Sequence, residues 1–476
     1  MDKIGDYMNK KIIVIGGGPG GYAAAIRAAQ LQAQVVLIEK DSIGGTCLIR
    51  GCIPTKTFYR SAEFFNNVKR ASEFGIEVSE PFLNLNKLQE RKNTVVNQLV
   101  SGVTQLMKAN SIEVIKGTAL IKGRNEVEVL FEDGSKSSLS CDNIIIATGS
   151  RSANPPIKGS DLQGVVYSDE LMNFASVPES LVIIGGGVIG MEFGGIFNAF
   201  GSKVTIVEAL PSILNMLDGE IIKRLNPMMK KQGIDILTSA MVKEIGKKDG
   251  RLQVKVEGKK GELTLEGEQV LIATGRKANV ENLGLEEAGI LYDKKGITVD
   301  ENLETTLKGV YAIGDVNGRV MLAHAASHQG VTAAEIIMGQ NTEKEGPIPN
   351  CIFIFPEIAS LGLREDELKA KGEEYKVSKF LFGANGKALA LGEGEGFIKV
   401  ICDKDNRIVG VHILGPHASD IIHEAVPIIN EGLTVEKIKH MIHAHPTLSE
   451  AFYEAVLGLN NEAIHLAPKN NKVAGK

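Results

Sequence analysis

Residues 10–40 read KKIIVIGGGPGGYAAAIRAAQLQAQVVLIEK. A short Ile/Val run meets a glycine turn carrying Gly16, Gly18 and Gly21, then an Ala-rich segment, then a second apolar run closing on Glu39. The pattern predicts a buried strand, a tight turn, a helix and a second strand. In such a unit Gly16 permits the turn, Gly18 lets backbone approach a pyrophosphate, and Gly21 brings helix against strand. The helix start offers unpaired N–H groups and a positive dipole end to the phosphates, and Glu39 accepts hydrogen bonds from a ribose diol.

The arrangement recurs. Residues 180–209, SLVIIGGGVIGMEFGGIFNAFGSKVTIVEA, carry Gly185, Gly187 and Gly190 and reach Glu208, and each acid stands 18 residues after the third glycine (21 to 39, 190 to 208). A lone glycine turn often only joins a strand to a helix; strand, helix and acid all present twice point to two dinucleotides on one chain. Two nicotinamides would serve little purpose together, so one dinucleotide is read as a flavin and the other as its hydride partner. Each unit ends in an echo, DNIIIATGS (142–150) and EQVLIATGR (268–276), which puts Ala147, Thr148 and Gly149, and Ala273, Gly275 and Arg276, at phosphate- or ribose-facing turns. After Glu208 comes ALPSILN, without Arg or Lys, so a 2′-phosphate would meet a carboxylate and no cation; NAD is favoured over NADP. In GVYAIGDV (309–316) Asp315 follows Gly314. It is either a turn residue or a ligand for hydroxyls of the first cofactor.

At 476 residues the chain predicts two to four domains. Apolar content of 43%, net charge −5 and the lack of a Lys/Arg-rich run argue against disorder and against nucleic acid as a partner. Apolar runs break well short of the roughly 20 residues a bilayer needs, so membrane insertion is not expected. The polar opening MDKIGDYMNKK lacks the apolar core of a signal peptide. Five cysteines in so long a chain do not suggest a secreted disulfide framework, and a cytoplasmic setting is expected.

Two of those cysteines, Cys47 and Cys52, sit close together in GGTCLIRGCIPTK (44–56). A metal would want two more soft ligands, and Cys141, Cys351 and Cys402 show no CxxC spacing, so no metal is expected. A structural staple needs only the pair; a reversible dithiol/disulfide couple needs the pair and a nearby electron source. Pro54 would steer a helix whose positive end favours a thiolate.

Taken in order, GGGPGG, GGTCLIRGCIPTK, ATGS, GGGVIG, ATGR, AIGDV, MLAHAASHQG (321–330) and HAHPTLSE (443–450) resemble the flavin-dependent pyridine nucleotide–disulfide oxidoreductases over nearly the whole chain. AAIRAAQL, GCIPTK and HAHPTLSEAF are most similar to the members that oxidise dihydrolipoyl groups. The mercuric reductases differ in a C-terminal cysteine pair that NNEAIHLAPKNNKVAGK lacks. The resemblance implies an α/β fold with two dinucleotide-binding (Rossmann-like) domains plus a C-terminal α+β interface domain. An FAD-binding domain (1–150 and 276–346) would be split around an NAD-binding domain (151–275), with a dimerisation domain at 347–476.

The resemblance also assigns roles. Cys47 would be the interchange thiol and Cys52 the flavin-side thiol. Lys56 would reach the flavin and pair with Glu192. His445, oriented by Glu450, would move protons, and a histidine titrating near neutrality suits that task. His443 is read as a surface or packing residue. To the FAD site it adds Lys40, Gly45, Thr46, Lys56, Gly117, Gly314, Asp315, Met321, Leu322, Ala323 and His324, and to the NAD site Val242. A homodimer is implied, with His445 serving the cysteines of the other subunit, and the partner would be a lipoyl-bearing acyltransferase or carrier protein of a 2-oxoacid dehydrogenase or glycine cleavage complex. Rival readings are another NAD(P)H-dependent disulfide reductase and a catalytically idle scaffold. One departure stands out: Ile49-Arg50, where the family often has Asn-Val or Asn-Arg, removes an amide that would fix the loop.

Overall fold

The computed structural model describes residues 10–343 and 345–467. The opening stretch before residue 10 therefore lies outside the described residues, as does the chain after residue 467.

Two five-stranded parallel sheets grow from the two glycine repeats. In the first, Lys11–Ile15 is central, flanked by Gln34–Glu39 and Asn143–Ile146, with Glu113–Lys116 and Val310–Ala312 at the edges. In the second, Ser180–Ile184 lies between Lys203–Val207 and Gln269–Ile272, with Asp235–Leu237 and Val165–Val166 outside. Their central strands are buried on both faces, which is why they read as continuous apolar runs and not as alternating ones. In both sheets the chain reverses direction across the sheet beside the central strand, where α/β folds open a crevice at the strand ends. Each carries a three-stranded antiparallel layer, Thr118–Ser140 on the first and Met241–Gly267 on the second.

The helix Pro19–Gln30 starts with Pro at its first turn and buries Gly20, Gly21, Ala24, Ala25 and Ala28. Those small residues let it pack tightly on Ala323–Ile337, where a Cβ on Gly330 would lie 2.3 Å from the Gly20 carbonyl oxygen. The segments after the ATG echoes, Ser150–Ser152 and Arg276–Ala278, pair antiparallel and stitch the two layers together.

A third layer is an antiparallel sheet ordered Asn350–Ile352, Ile358–Gly362, Ile408–Leu414, Phe397–Asp403 and Tyr375–Leu381. The fold is thus α/β with two dinucleotide-binding units and a C-terminal α+β layer. One apolar cluster draws Phe58 and Tyr59 from the helix after the cysteines, Phe193 and Phe197 from the second unit, and Ile354 and Phe397 from the third. That shared core holds the three layers against one another. Among the described residues no helix is long and apolar enough to cross a membrane, and no group of three or more His, Cys, Asp or Glu could hold a metal ion.

Candidate active site

The two glycine turns superpose in their chemistry. Glu39 accepts the Gly17 N–H at 2.6 Å and the Asp41 N–H at 2.8 Å; Glu208 accepts the Gly186 N–H at 2.7 Å and the Leu210 N–H at 2.7 Å. Each carboxylate therefore locks its own turn and keeps lone pairs for ribose hydroxyls. A Cβ on Gly21 would lie 1.8 Å from the Gly16 carbonyl oxygen, and one on Gly190 2.0 Å from that of Gly185, so helix and strand touch there. At the middle glycines the reverse holds: Gly187 has nothing within 4 Å of that position, and Gly18 has only the Gly45 Cα at 3.9 Å. Open cradles at two helix starts fit two pyrophosphates.

The other positions expected at the first cofactor lie on turns, strand ends and helices around the first sheet. Gly117 donates its N–H to the Glu39 carbonyl at 3.0 Å. Gly45 and Thr46 open the helix Gly45–Arg50, whose start meets Gly18, and Lys40 follows Glu39 at the strand end. The Ala147 carbonyl backs Gly16. Thr148 exchanges hydrogen bonds with Asn279, at 2.8 Å and 2.9 Å. Sequence reading missed Asn279, although RSAN (151–154) and RKAN (276–279) continue the ATG echoes. Asp315 accepts from Ser150, and Arg276 donates to both the hydroxyl and the carbonyl of Ser150 at 2.7 Å, so Arg276 stands at the junction of the two units. Met321 and Leu322 lead into the helix Ala323–Ile337, and His324 Nε2 lies 2.8 Å from the Pro349 carbonyl. Gly314 donates to Gln329 Oε1 at 2.8 Å, and the buried Gln329 Nε2 finds no acceptor among the described residues. The Ala273 carbonyl backs the second turn at Gly185, Gly275 takes a positive φ (134°) with open space at its Cβ position, and Val242 is buried in the apolar layer with Ile184 and Val207.

Cys47 stands in the short helix Gly45–Arg50, and Cys52 is the first residue of Cys52–Lys69. Both are half-buried free thiols hydrogen-bonded to each other. That bond pushes Cys47 strongly upward, aided by burial. It lowers Cys52 to about 7; burial and Glu192 oppose, while Lys56 and the backbone N–H of Cys52 assist. The thiolate therefore resides on Cys52, at a helix start. Ile49 packs against the apolar core beneath the first sheet, and Arg50 pairs with Asp41 beside the Glu39 turn. The loop that lacks an amide is held instead by a half-buried aliphatic group and an ion pair.

Lys56 Nζ lies 2.9 Å and 3.0 Å from the two oxygens of Glu192 and 4.6 Å from the centre of the Phe353 ring. Glu192 is buried and also accepts the Phe353 N–H at 3.0 Å. His445 Nδ1 lies 2.9 Å from Glu450 Oε1, and Glu450 Oε2 accepts the Thr447 N–H at 2.8 Å. Burial pushes Glu450 up, but the Thr447 N–H and His445 outweigh it and hold the carboxyl below its usual range. The His445 side chain is 78% exposed, and among the described residues no hydrogen bond or ion pair joins it to either cysteine. His443 pairs with Glu424 at 2.5 Å and stacks on Tyr453, as a packing residue does.

A dithiol beside one dinucleotide turn, bridged by an ion pair to a second, defines a flavin- and pyridine-nucleotide-dependent disulfide oxidoreductase. Residues 10–330 match the pyridine nucleotide-disulphide oxidoreductase model and residues 348–456 its dimerisation domain. The chain belongs to this family; it is an enzyme whose cofactors are FAD and NAD. It is 41% identical to a dihydrolipoyl dehydrogenase of Bacillus subtilis over 95% of this chain and 98% of the relative. Among solved structures, LpdA from Mycobacterium tuberculosis matches with TM-score 0.88 and 26% identity over 94% of this chain and 99% of that one. The HOCl-induced flavoprotein disulfide reductase RclA from Escherichia coli matches with TM-score 0.84 and 28% identity over the same shares, 94% and 99%. The dimerisation-domain match supports a homodimer built through the C-terminal layer.

Proposed function

We propose that the chain oxidises protein-bound dihydrolipoyl groups and reduces NAD⁺, as a dihydrolipoyl dehydrogenase. The observation that carries this reading is the placing of the dithiol: Cys52 opens a long helix one turn before Lys56, which helps lower its thiol, while Cys47 sits in the short helix before it. A leaving thiol of low pKa makes the exchange directional. In the oxidised enzyme a substrate thiolate attacks Cys47 sulfur, breaking the Cys47–Cys52 bond and releasing Cys52 as thiolate. The second substrate thiol then attacks the substrate sulfur of the mixed disulfide and releases Cys47. Two electrons have entered the pair, and the substrate leaves as its cyclic disulfide. His445, oriented by Glu450, removes the proton from each attacking thiol, and it does so for the cysteines of the partner subunit. Bound FAD would supply the two-electron chemistry that links this dithiol to NAD⁺.

Gly16, Gly18, Gly21, Glu39, Gly45 and Thr46 would hold the flavin dinucleotide, and Gly185, Gly187, Gly190 and Glu208 the NAD. Lys56 places its cation to favour the Cys52 thiolate and negative charge on the reduced ring. The carrier would be a separate lipoyl-bearing acyltransferase or carrier protein of a 2-oxoacid dehydrogenase or glycine cleavage complex, met in the cytoplasm. Paired assays test the reading: dihydrolipoamide with NAD⁺ should turn over far faster than NADPH with glutathione disulfide, and the opposite preference would overturn it.

A further inference from the structure

Lys399 is a fully buried cation that the reaction scheme leaves unused. It stands in the strand Phe397–Asp403 of the C-terminal layer and is 1% exposed. Its Nζ lies 3.0 Å from both oxygens of Asp218, 2.6 Å from Glu365 and 3.6 Å from Glu220. Asp218, equally buried, belongs to the second dinucleotide unit and caps the helix Gly219–Lys231 by accepting the Glu220 N–H at 3.0 Å. Desolvation offsets most of what such a pair contributes to stability; its best-attested use is to specify one arrangement of two packed parts.

Asp218 ends the segment that begins directly after Glu208. Along it, Leu210 donates to Glu208 at 2.7 Å, and Leu214 donates to the Gly186 carbonyl at 2.9 Å. From the C-terminal layer, Arg364 donates to the Asn215 carbonyl at 3.3 Å. Two cations of that layer thus grip the strip of chain that backs the second glycine turn.

We propose that Lys399 is a positioning residue for the NAD⁺ site: through Asp218 it holds segment 209–218, and with it the Gly186 and Glu208 groups that face the nucleotide. The dimerisation layer therefore sets NAD⁺ affinity without touching NAD⁺. This rests on the reading that the turn from Gly185 to Glu208 holds NAD.

The test titrates NAD⁺ calorimetrically into oxidised holoenzyme and separately follows flavin reduction by dihydrolipoamide without NAD⁺. Lys399→Met should weaken NAD⁺ binding about tenfold and raise KM for NAD⁺ alike, with flavin reduction at the wild-type rate. Glu365→Gln, which leaves the Asp218 contact in place, should bind NAD⁺ normally. Should Lys399→Met not fold, the double variant Asp218→Asn/Lys399→Met removes both charges while Asn keeps the helix cap, and it should show the same weakened binding. Wild-type NAD⁺ affinity in either folded variant overturns the proposal, as does an equal slowing of flavin reduction. A Gly187→Val control separates the two failures: if it too binds NAD⁺ normally, the assignment of the site is at fault and not the role of Lys399.

Discussion

Lys56 and Glu192, 136 residues apart, meet through both carboxylate oxygens, so the cysteine helix and the second glycine helix are tied together one turn from their starts. Among the described residues, Lys56→Met leaves a buried carboxylate with only the Phe353 N–H as partner. Because Lys56 is 30% exposed, the expected loss is about 2 kcal/mol, below that of a fully buried pair. Urea unfolding of the holoenzyme checks it, and the double variant Lys56→Met/Glu192→Gln should recover most of the loss.

Cys52, lowered from 9.0 to about 7, should be thiolate above that pH and thiol below it in the reduced enzyme. Long-wavelength absorbance from a thiolate beside the flavin should appear as pH rises, with a midpoint near 7. Since Lys56 favours the thiolate, Lys56→Met should move that midpoint up by roughly one unit. A midpoint indifferent to Lys56 would remove the lysine from the redox site.

Two glycine substitutions in one turn should part company. At Gly187 the Cβ position is open and the backbone is extended (φ −78°, ψ −174°), so Gly187→Val should melt near the wild-type temperature yet bind NAD⁺ at least about tenfold more weakly. Gly190→Ala puts a methyl 2.0 Å from the Gly185 carbonyl oxygen and should compromise folding. Thermal melts beside NAD⁺ titrations distinguish the two.

His445→Gln should slow dihydrolipoamide oxidation by about 10² to 10⁴, the range for a lost general base, and leave flavin reduction by NADH unchanged. Glu450→Gln should fall between that and wild type, because the His445 ring loses its charged anchor but not its place. Rapid-mixing measurements of each half-reaction separate the outcomes. Slowing of both halves alike would deny His445 a proton-transfer role.

The legible parts of this protein are those written locally. Glycine turn, helix and closing acid sit within one unit of chain, so the turns at Gly16 and Gly185 could be read residue by residue, and the geometry of the cysteine segment follows from the short helix Gly45–Arg50 and the start of the helix Cys52–Lys69. Lys56 and Glu192, by contrast, were paired only by resemblance. Arg50 shows the limit. Its partner Asp41 precedes the glycine pair of the same segment, and no periodicity marks them as partners. Thr148 with Asn279, and Lys399 with Asp218, join residues 131 and 181 positions apart. Such pairs are fixed by how whole layers pack, and a hydrogen-bonding residue looks the same in sequence whether its partner is solvent or a distant strand.

The most direct test of the relay is anaerobic titration of the holoenzyme with dihydrolipoamide, watching long-wavelength absorbance in single-cysteine variants. Cys47→Ser, which has no disulfide to open, should show the thiolate absorbance before any reductant is added, and Cys52→Ser should show it at no stage. Absorbance that survives Cys52→Ser and vanishes in Cys47→Ser would reverse the two thiols and contradict the account.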